Sequence, residues 1–236
     1  MRTVLARLPW LVSALLGLLL VAGCVDREPE QRAAFVRFLQ VRVIEAPGAL
    51  VRAPVGEERE ALGEYVAQYE LIGDFQEMLG TAIQVQSRAL QALTLHSMGE
   101  LMARAAEFES LRAELARSRD YLSKARETAD KARAGLVQAD DLKPVYAAAY
   151  DKAVTQPAAA LAPGYAVLAA ALQDAQRAAA YAEEHGGQLR TDGALAQVQD
   201  PSVQAQLNAR LHTLNSHAPA VEEAGRRLRA LQPPGP

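Results

Sequence analysis

The chain has 236 residues, with 25 Lys and Arg against 28 Asp and Glu, for a formal charge of −3. That weak acidity excludes the concentrated cationic face on which nucleic-acid binding depends. A single cysteine excludes an internal disulfide, and the abundance of alanine with only 5% aromatic residues favours helix over sheet.

Met1 to Gly23 has the parts of an export signal. Arg2 and Arg7 form a positive leading region, Leu11 to Val21 is apolar apart from Ser13 and Gly17, and the small residues Ala22 and Gly23 precede Cys24. The apolar run is shorter than the roughly 20 residues needed to span a bilayer. Leu20-Val21-Ala22-Gly23-Cys24 resembles a bacterial lipobox, in which the cysteine sulfur is acylated and the chain is cut between Gly23 and Cys24. The expected organisation is a signal peptide over 1–23, a lipidated tether over 24–28, a helical domain over 29–231 and a disordered tail over 232–236. Without its leader the chain keeps 23 basic and 28 acidic side chains, a net of −5. Acyl chains on Cys24 would make the membrane a partner, each buried methylene contributing about 0.8 kcal/mol. They would also leave no thiol for catalysis or metal binding. Such a protein faces the periplasm, and Val25 directly after the cysteine favours the outer over the inner membrane.

Pro29, flanked by Glu28 and Glu30, marks the start of a helix that carries Phe35, Phe38, Leu39 and Val43 on one face and stops near Ala46, before Pro47-Gly48. A loop to Gly56 precedes a second helix over Glu57 to Leu95, where Leu62, Val66, Tyr69, Ile72, Leu79 and Ile83 recur at helical spacing. Gly63, Gly73 and Gly80 weaken it, and the last two, seven apart, would let a neighbouring helix approach closely. His96 to Gly99 reads as a turn. Leu101 to Val137 is the strongest helical pattern: Leu111, Leu115, Ser118, Leu122, Ala125, Ala129, Ala132 and Leu136 make a heptad seam entered near Phe108. The seam fits a hairpin with the second helix or a coiled coil with another chain. Glu100–Arg104, Asp120–Lys124 and Glu127–Lys131 are spaced as i,i+4 pairs.

Asp140-Asp141-Leu142-Lys143-Pro144 reads as a break with a capping aspartate and a new helix start. That helix, with Tyr146 and Tyr150 on one face, is expected to end at Pro157, with a further junction at Pro163-Gly164. A fifth helix carries Tyr165, Leu168, Leu172, Ala175 and Ala179 up to Gly186-Gly187. Gln188 to Gln199 is irregular, with a turn at Thr191-Asp192-Gly193 and room for a short strand pair. Asp200-Pro201 opens the last helix, which Pro219 must kink or split. The fold class is therefore all-α: an elongated bundle of about five or six helices around one long central helix.

Two segments carry a resemblance. Cys24 to Gln40, which includes Glu28, Pro29, Phe35, Phe38 and Leu39, resembles the mature N-terminus of the YiaF-like bacterial lipoproteins. Asp140-Asp141-Leu142-Lys143-Pro144-Val145-Tyr146, running on to Thr155-Gln156-Pro157-Ala158, resembles their central motif. The resemblance implies a bacterial envelope lipoprotein, and it assigns no activity and no role to these residues.

No catalytic constellation stands out. His212 and His217 are five apart and do not share a face as i,i+4 metal ligands would. Asp140 and Asp141 could form a carboxylate dyad, but at a helix start they read better as caps. No serine sits in a nucleophile motif, and no glycine-rich loop precedes a helix to hold phosphate. Tyr65, Tyr69, Tyr146, Tyr150 and Tyr165 fit either a ligand pocket or the edge of the core. The expectation is a protein with no enzyme activity, no cofactor and no metal, acting on an unknown envelope protein partner in an assembly of unknown size. The alternative is a carrier of a small apolar ligand or lipid, in a cavity bordered by Gly73, Gly80, Ala125 and Ala129.

Overall fold

The computed structural model describes residues 27–192 and 195–233, so the expected signal peptide, Gly23 and Cys24 lie outside the described residues. Helix α1 (Glu28–Phe38) starts at Pro29 with Glu28 and Glu30 in its first turn, and runs straight into a π-helical segment (Leu39–Ile44) that Glu45 N–H closes on Gln40 O at 2.9 Å. Then come α2 (Glu57–Leu62), a single 3₁₀ turn (Gly63–Tyr65) and α3 (Val66–Ala92). Next are α4 (Met98–Ala103) and α5 (Ala105–Ala134), parted by a kink at Arg104. Helix α6 (Leu142–Tyr150) continues through a second π-helical segment (Asp151–Thr155) into α7 (Gln156–Glu184). Strands β1 (Leu189–Asp192) and β2 (Leu195–Val198) form a small antiparallel hairpin, Leu189 opposite Val198, before α8 (Pro201–Ser216) and α9 (Ala218–Leu231).

The architecture is all-α apart from that hairpin, which occupies the place where the sequence leaves room for a strand pair. Specific bonds set its axis. Tyr146, Ala153 and Leu161 meet Gln68, Gln76 and Gln86 in that order, so the α6–α7 rod runs parallel to α3. Helix α5 runs the other way: its top meets the end of α3, where Arg104 Nη1 caps Gln91 O and Ala92 O at 3.3 and 3.2 Å, and beyond its foot Gln138 bonds Gln68. The heptad seam thus packs within the chain, against α3 and α7. Helix α9 returns along α3 and ends where Ala49 N–H meets Leu231 O at 2.9 Å.

Several sequence expectations are corrected. Pro157 and Pro163 do not divide the rod, so the helix from Leu142 to Glu184 is about 65 Å long at 1.5 Å per residue and outruns the helix over Leu101–Val137 that was expected to be the long one. Proline removes an N–H and pushes away the carbonyl four residues back. At Pro157 that carbonyl is Ala153 O, inside the π-helical segment, and the buried Gln76 side chain supplies the missing donor from α3 at 2.5 Å. Gln76 Oε1 meanwhile accepts from Val51 N–H at 3.0 Å. Next to Pro163, buried Gln86 donates to Leu161 O at 3.1 Å and lies directly over Gly164. Pro219 does split its helix, at His217. His96 to Gly99 is a helix start rather than a plain turn: Ser97 Oγ accepts Glu100 N–H, and the Glu100 carboxylate accepts His96 N–H. Glu100 is therefore not paired with Arg104, and neither Asp120–Lys124 nor Glu127–Lys131 forms. The start of the expected tail is ordered, Gln232 N–H donating to Arg229 O beneath Gly48.

The glycines part company with the sequence reading. Gly63, at φ +54°, supplies the backbone break between α2 and α3 and leaves its side-chain space to Gln31. Gly164 makes room for Gln86. Gly73 and Gly80 admit no close helix, since a Cβ on either would meet nothing within 4 Å. Gly73→Ala and Gly80→Ala should each raise stability by about 0.5–1 kcal/mol in urea unfolding. Gly164→Ala should lower it by about 1–3 kcal/mol, because Gln86 loses its place and its carbonyl partner.

Candidate functional site

The two segments that carry the family resemblance meet at one end of the bundle. Tyr65 donates its hydroxyl to Glu28, which also lies 3.6 Å from Arg32, and Arg32 Nε is 3.4 Å from Asp141. Phe35, Phe38 and Leu39 are buried, and the Phe35 ring lies 5.3 Å from Tyr65 and 6.3 Å from Tyr146. Leu142 is fully buried below them, and Pro144 lies exposed in the first turn of α6. Asp140 bonds Lys143 Nζ at 2.8 Å, which holds its carboxyl below the ordinary range. Asp141 makes no side-chain cap, contrary to expectation, because its carboxylate turns to Arg32. The two aspartates therefore face different cations and do not act as a dyad. This end is a clasp between the N-terminal helix and the start of the long rod.

The tyrosines settle on the core-edge reading. Tyr69 donates to Arg52 O at 2.8 Å, Tyr146 to Gln68 O at 2.7 Å and Tyr150 to Asp130 at 2.7 Å. Tyr165 Oη lies 3.0 Å from Ser118 Oγ, tying α7 to α5. Burial pushes Tyr69 and Tyr146 up from 10.0 to about 12, and burial followed by the bond to Glu28 does the same for Tyr65. Burial and the Asp130 carboxylate raise Tyr150 further.

Several hollows flank the bundle, and three of them bear on these expectations. The groove between α3 and α5, about 270 Å³, is lined by Ala125 and Ala129 but by neither Gly73 nor Gly80, so the cavity expected between those four residues does not form as drawn. A cleft of about 430 Å³ between α7 and α8 is charged, with Arg210 stacked 3.9 Å above the Tyr181 ring. The widest of the three, about 680 Å³, lies at the end opposite the clasp. Leu93, Leu95, Met98 and Leu101 form one wall, Leu207, Leu211, Leu214 and Val221 the other, with Ala171 of the rod beneath. In the sequence Leu207, Leu211, Leu214 and Val221 show only the stripe of one last helix. The available signal was Pro219, which splits their stripe over two short helices and leaves Leu211, Leu214 and Val221 only partly buried.

His217 stands at that split and lines the hollow. Its Nε2 is 2.8 Å from Asp174 Oδ2, and Arg177 Nη1 is 3.2 Å from Asp174 Oδ1. The other histidines are exposed or bonded locally; His185 Nδ1, for instance, lies 2.9 Å from Tyr181 O. Among the described residues no three His, Cys, Asp or Glu side chains gather as a metal site, and no helix is long and apolar enough to cross a membrane.

The sequence profile of the family described as Protein of unknown function (DUF3053) matches residues 12–229. The chain belongs to this family. Similar proteins include the uncharacterized protein YiaF of Escherichia coli strain K12 and its counterpart in Shigella flexneri. Each is 29% identical over 154 residues, which is 64% of this chain and 65% of the relative. No solved structure matches. The YiaF likeness is thus a family relationship, and it brings no assigned chemistry to the clasp or the hollow.

The buried hydroxyls give this fold a defined alkaline limit. Because folding raises Tyr69 and Tyr146 from 10.0 to about 12, their neutral forms stabilise the protein below pH 10, and that stability is lost as pH rises toward 12. Urea midpoints should hold steady up to pH 10 and then fall steeply. Tyr69→Phe should start about 1 kcal/mol less stable and fall less steeply above pH 10.

Proposed function

We propose that this chain is a non-enzymatic bacterial envelope lipoprotein, anchored by acyl chains on Cys24, that works through contact with another envelope protein. The observation that carries this reading is the polarity of the bundle. Helix α1 starts at Glu28, beside Tyr65 and Asp141, four residues beyond Cys24. The open apolar hollow lies at the far end of α3, about 40 Å away at 1.5 Å per residue. An anchor at Cys24 holds the clasp end near the bilayer and presents the opposite end to the periplasm, on the outer membrane that Val25 favours.

A second reading, a carrier of a small apolar ligand or lipid, is supported by the size of that hollow. Its volume of about 680 Å³ falls within the roughly 300–1,000 Å³ usual for small-ligand sites. Its position, however, is the distal end and not the α3–α5 groove.

In cells fed radiolabelled palmitate, the full chain should take up label, and Cys24→Ala should abolish it. Absence of label from the unaltered chain contradicts the anchor. A photo-cross-linking residue at exposed Asn215 should give an adduct heavier than the monomer, while one at exposed Arg119 should not. Monomer alone from Asn215 contradicts the contact reading.

A further inference from the structure

We infer that the distal hollow binds one long-chain fatty acid, its hydrocarbon tail between α8, α9 and the end of α3 and its carboxylate at His217. This rests on the carrier reading and gives it a site and a ligand class. Aliphatic side chains form the floor and much of the walls, Leu93, Leu101, Leu207, Leu211, Leu214 and Val221 converging over Ala171, while Ser97, Gln204, Asn208 and Asn215 supply polar lining. No Phe, Tyr or Trp ring lines the space, and its flexible aliphatic side chains conform to a flexible alkyl chain. Burying that chain is favourable by about 0.8 kcal/mol per methylene in the same way as burial in a bilayer.

The occupant is not the acyl anchor of the same molecule. The clasp end and the hollow are about 40 Å apart, the four residues from Cys24 to Glu28 reach at most about 14 Å when extended, and an acyl chain that bridged the remainder would be stretched along the outside of the bundle with none of it left to fill the hollow. The tail therefore comes from a free molecule that has left the membrane.

The titratable groups lining the hollow are His217 and Glu222. Glu222 is already 3.5 Å from Arg226, which offsets its charge. His217 is pinned through Nε2 by Asp174, itself held by Arg177, and its Nδ1 has no hydrogen-bond partner among the described residues. A carboxyl group hydrogen-bonded at Nδ1 would complete the ring's hydrogen bonding, opposite the bond that Asp174 makes at Nε2.

The test uses isolated envelopes carrying the full chain and palmitic acid bearing a diazirine, added and photolysed. Cross-links should map to α8 and α9. Unlabelled palmitic acid should suppress them about ten-fold more effectively than hexadecanol, which lacks the carboxylate. Ala218→Trp places an indole across the mouth from an exposed position and should reduce labelling about ten-fold. Ala205→Trp, exposed on α8 away from the hollow, should leave it unchanged. Labelling that is absent, unaffected by Ala218→Trp, or confined to the clasp end overturns the proposal. So does equal competition by hexadecanol. Because probe is added after the envelopes are isolated, these outcomes are separate from acylation at Cys24 and from protein contacts at Asn215.

Discussion

Everything in this bundle hangs on two glutamine side chains on α3 that serve the backbone of another helix. Gln76 and Gln86 are both buried, and each donates to a carbonyl of the long rod: Gln76 to Ala153 O, the one that Pro157 displaces, and Gln86 to Leu161 O, two residues before Pro163. A buried carbonyl with no donor costs about 1–3 kcal/mol, and a side chain from a neighbour removes that cost without restoring the local helix. The π-helical turn before Pro157 aims Ala153 O at Gln76, so the irregularity and its remedy form one unit. The result is an unbroken rod, along which α5, α8 and α9 find their positions.

This explains why part of the fold was legible in the sequence and part was not. Caps and breaks that act locally could be read: Pro29 at the first helical turn, Asp200 accepting Ser202 N–H at 2.7 Å, and Pro219 at the split before α9. The heptad seam was likewise readable, because its period already states which face is buried. Pro157 was misread because the group that neutralises it, Gln76, lies 81 residues upstream, and around Pro163 the rod is likewise held from a distance, by Gln86 on Leu161 O. No local pattern announces such a partner. Gly73 and Gly80 failed for the converse reason: a seven-residue spacing suggests close packing, but what faces a helix is decided by its neighbours.

The site divides in the same way. The two segments with a family resemblance were visible as motifs, and the structure gives them a shared physical role: Arg32–Asp141 and Phe35–Tyr146 join them. Their residues are occupied in holding the N-terminal helix, which is consistent with a resemblance that carried no chemistry. The hollow was invisible because leucines that line a space and leucines that fill one look alike in a sequence. It arises where α9 sets off from α8 at His217, whose ring reaches 43 residues back to Asp174. Clasp and hollow thus sit at opposite ends of a frame whose length the two glutamines secure.

A double-mutant cycle between Gln76 and Pro157 tests the central relationship most directly. With Pro157 present, Gln76→Leu should cost about 2–3 kcal/mol in urea unfolding, since Ala153 O is left without a donor. With Pro157→Ala, the helix can bond that carbonyl itself, and the same substitution should cost at least about 1 kcal/mol less, the loss at Val51 N–H cancelling between backgrounds. An identical cost in both backgrounds would contradict the account, because Gln76 would then stabilise the protein for reasons unconnected with the proline.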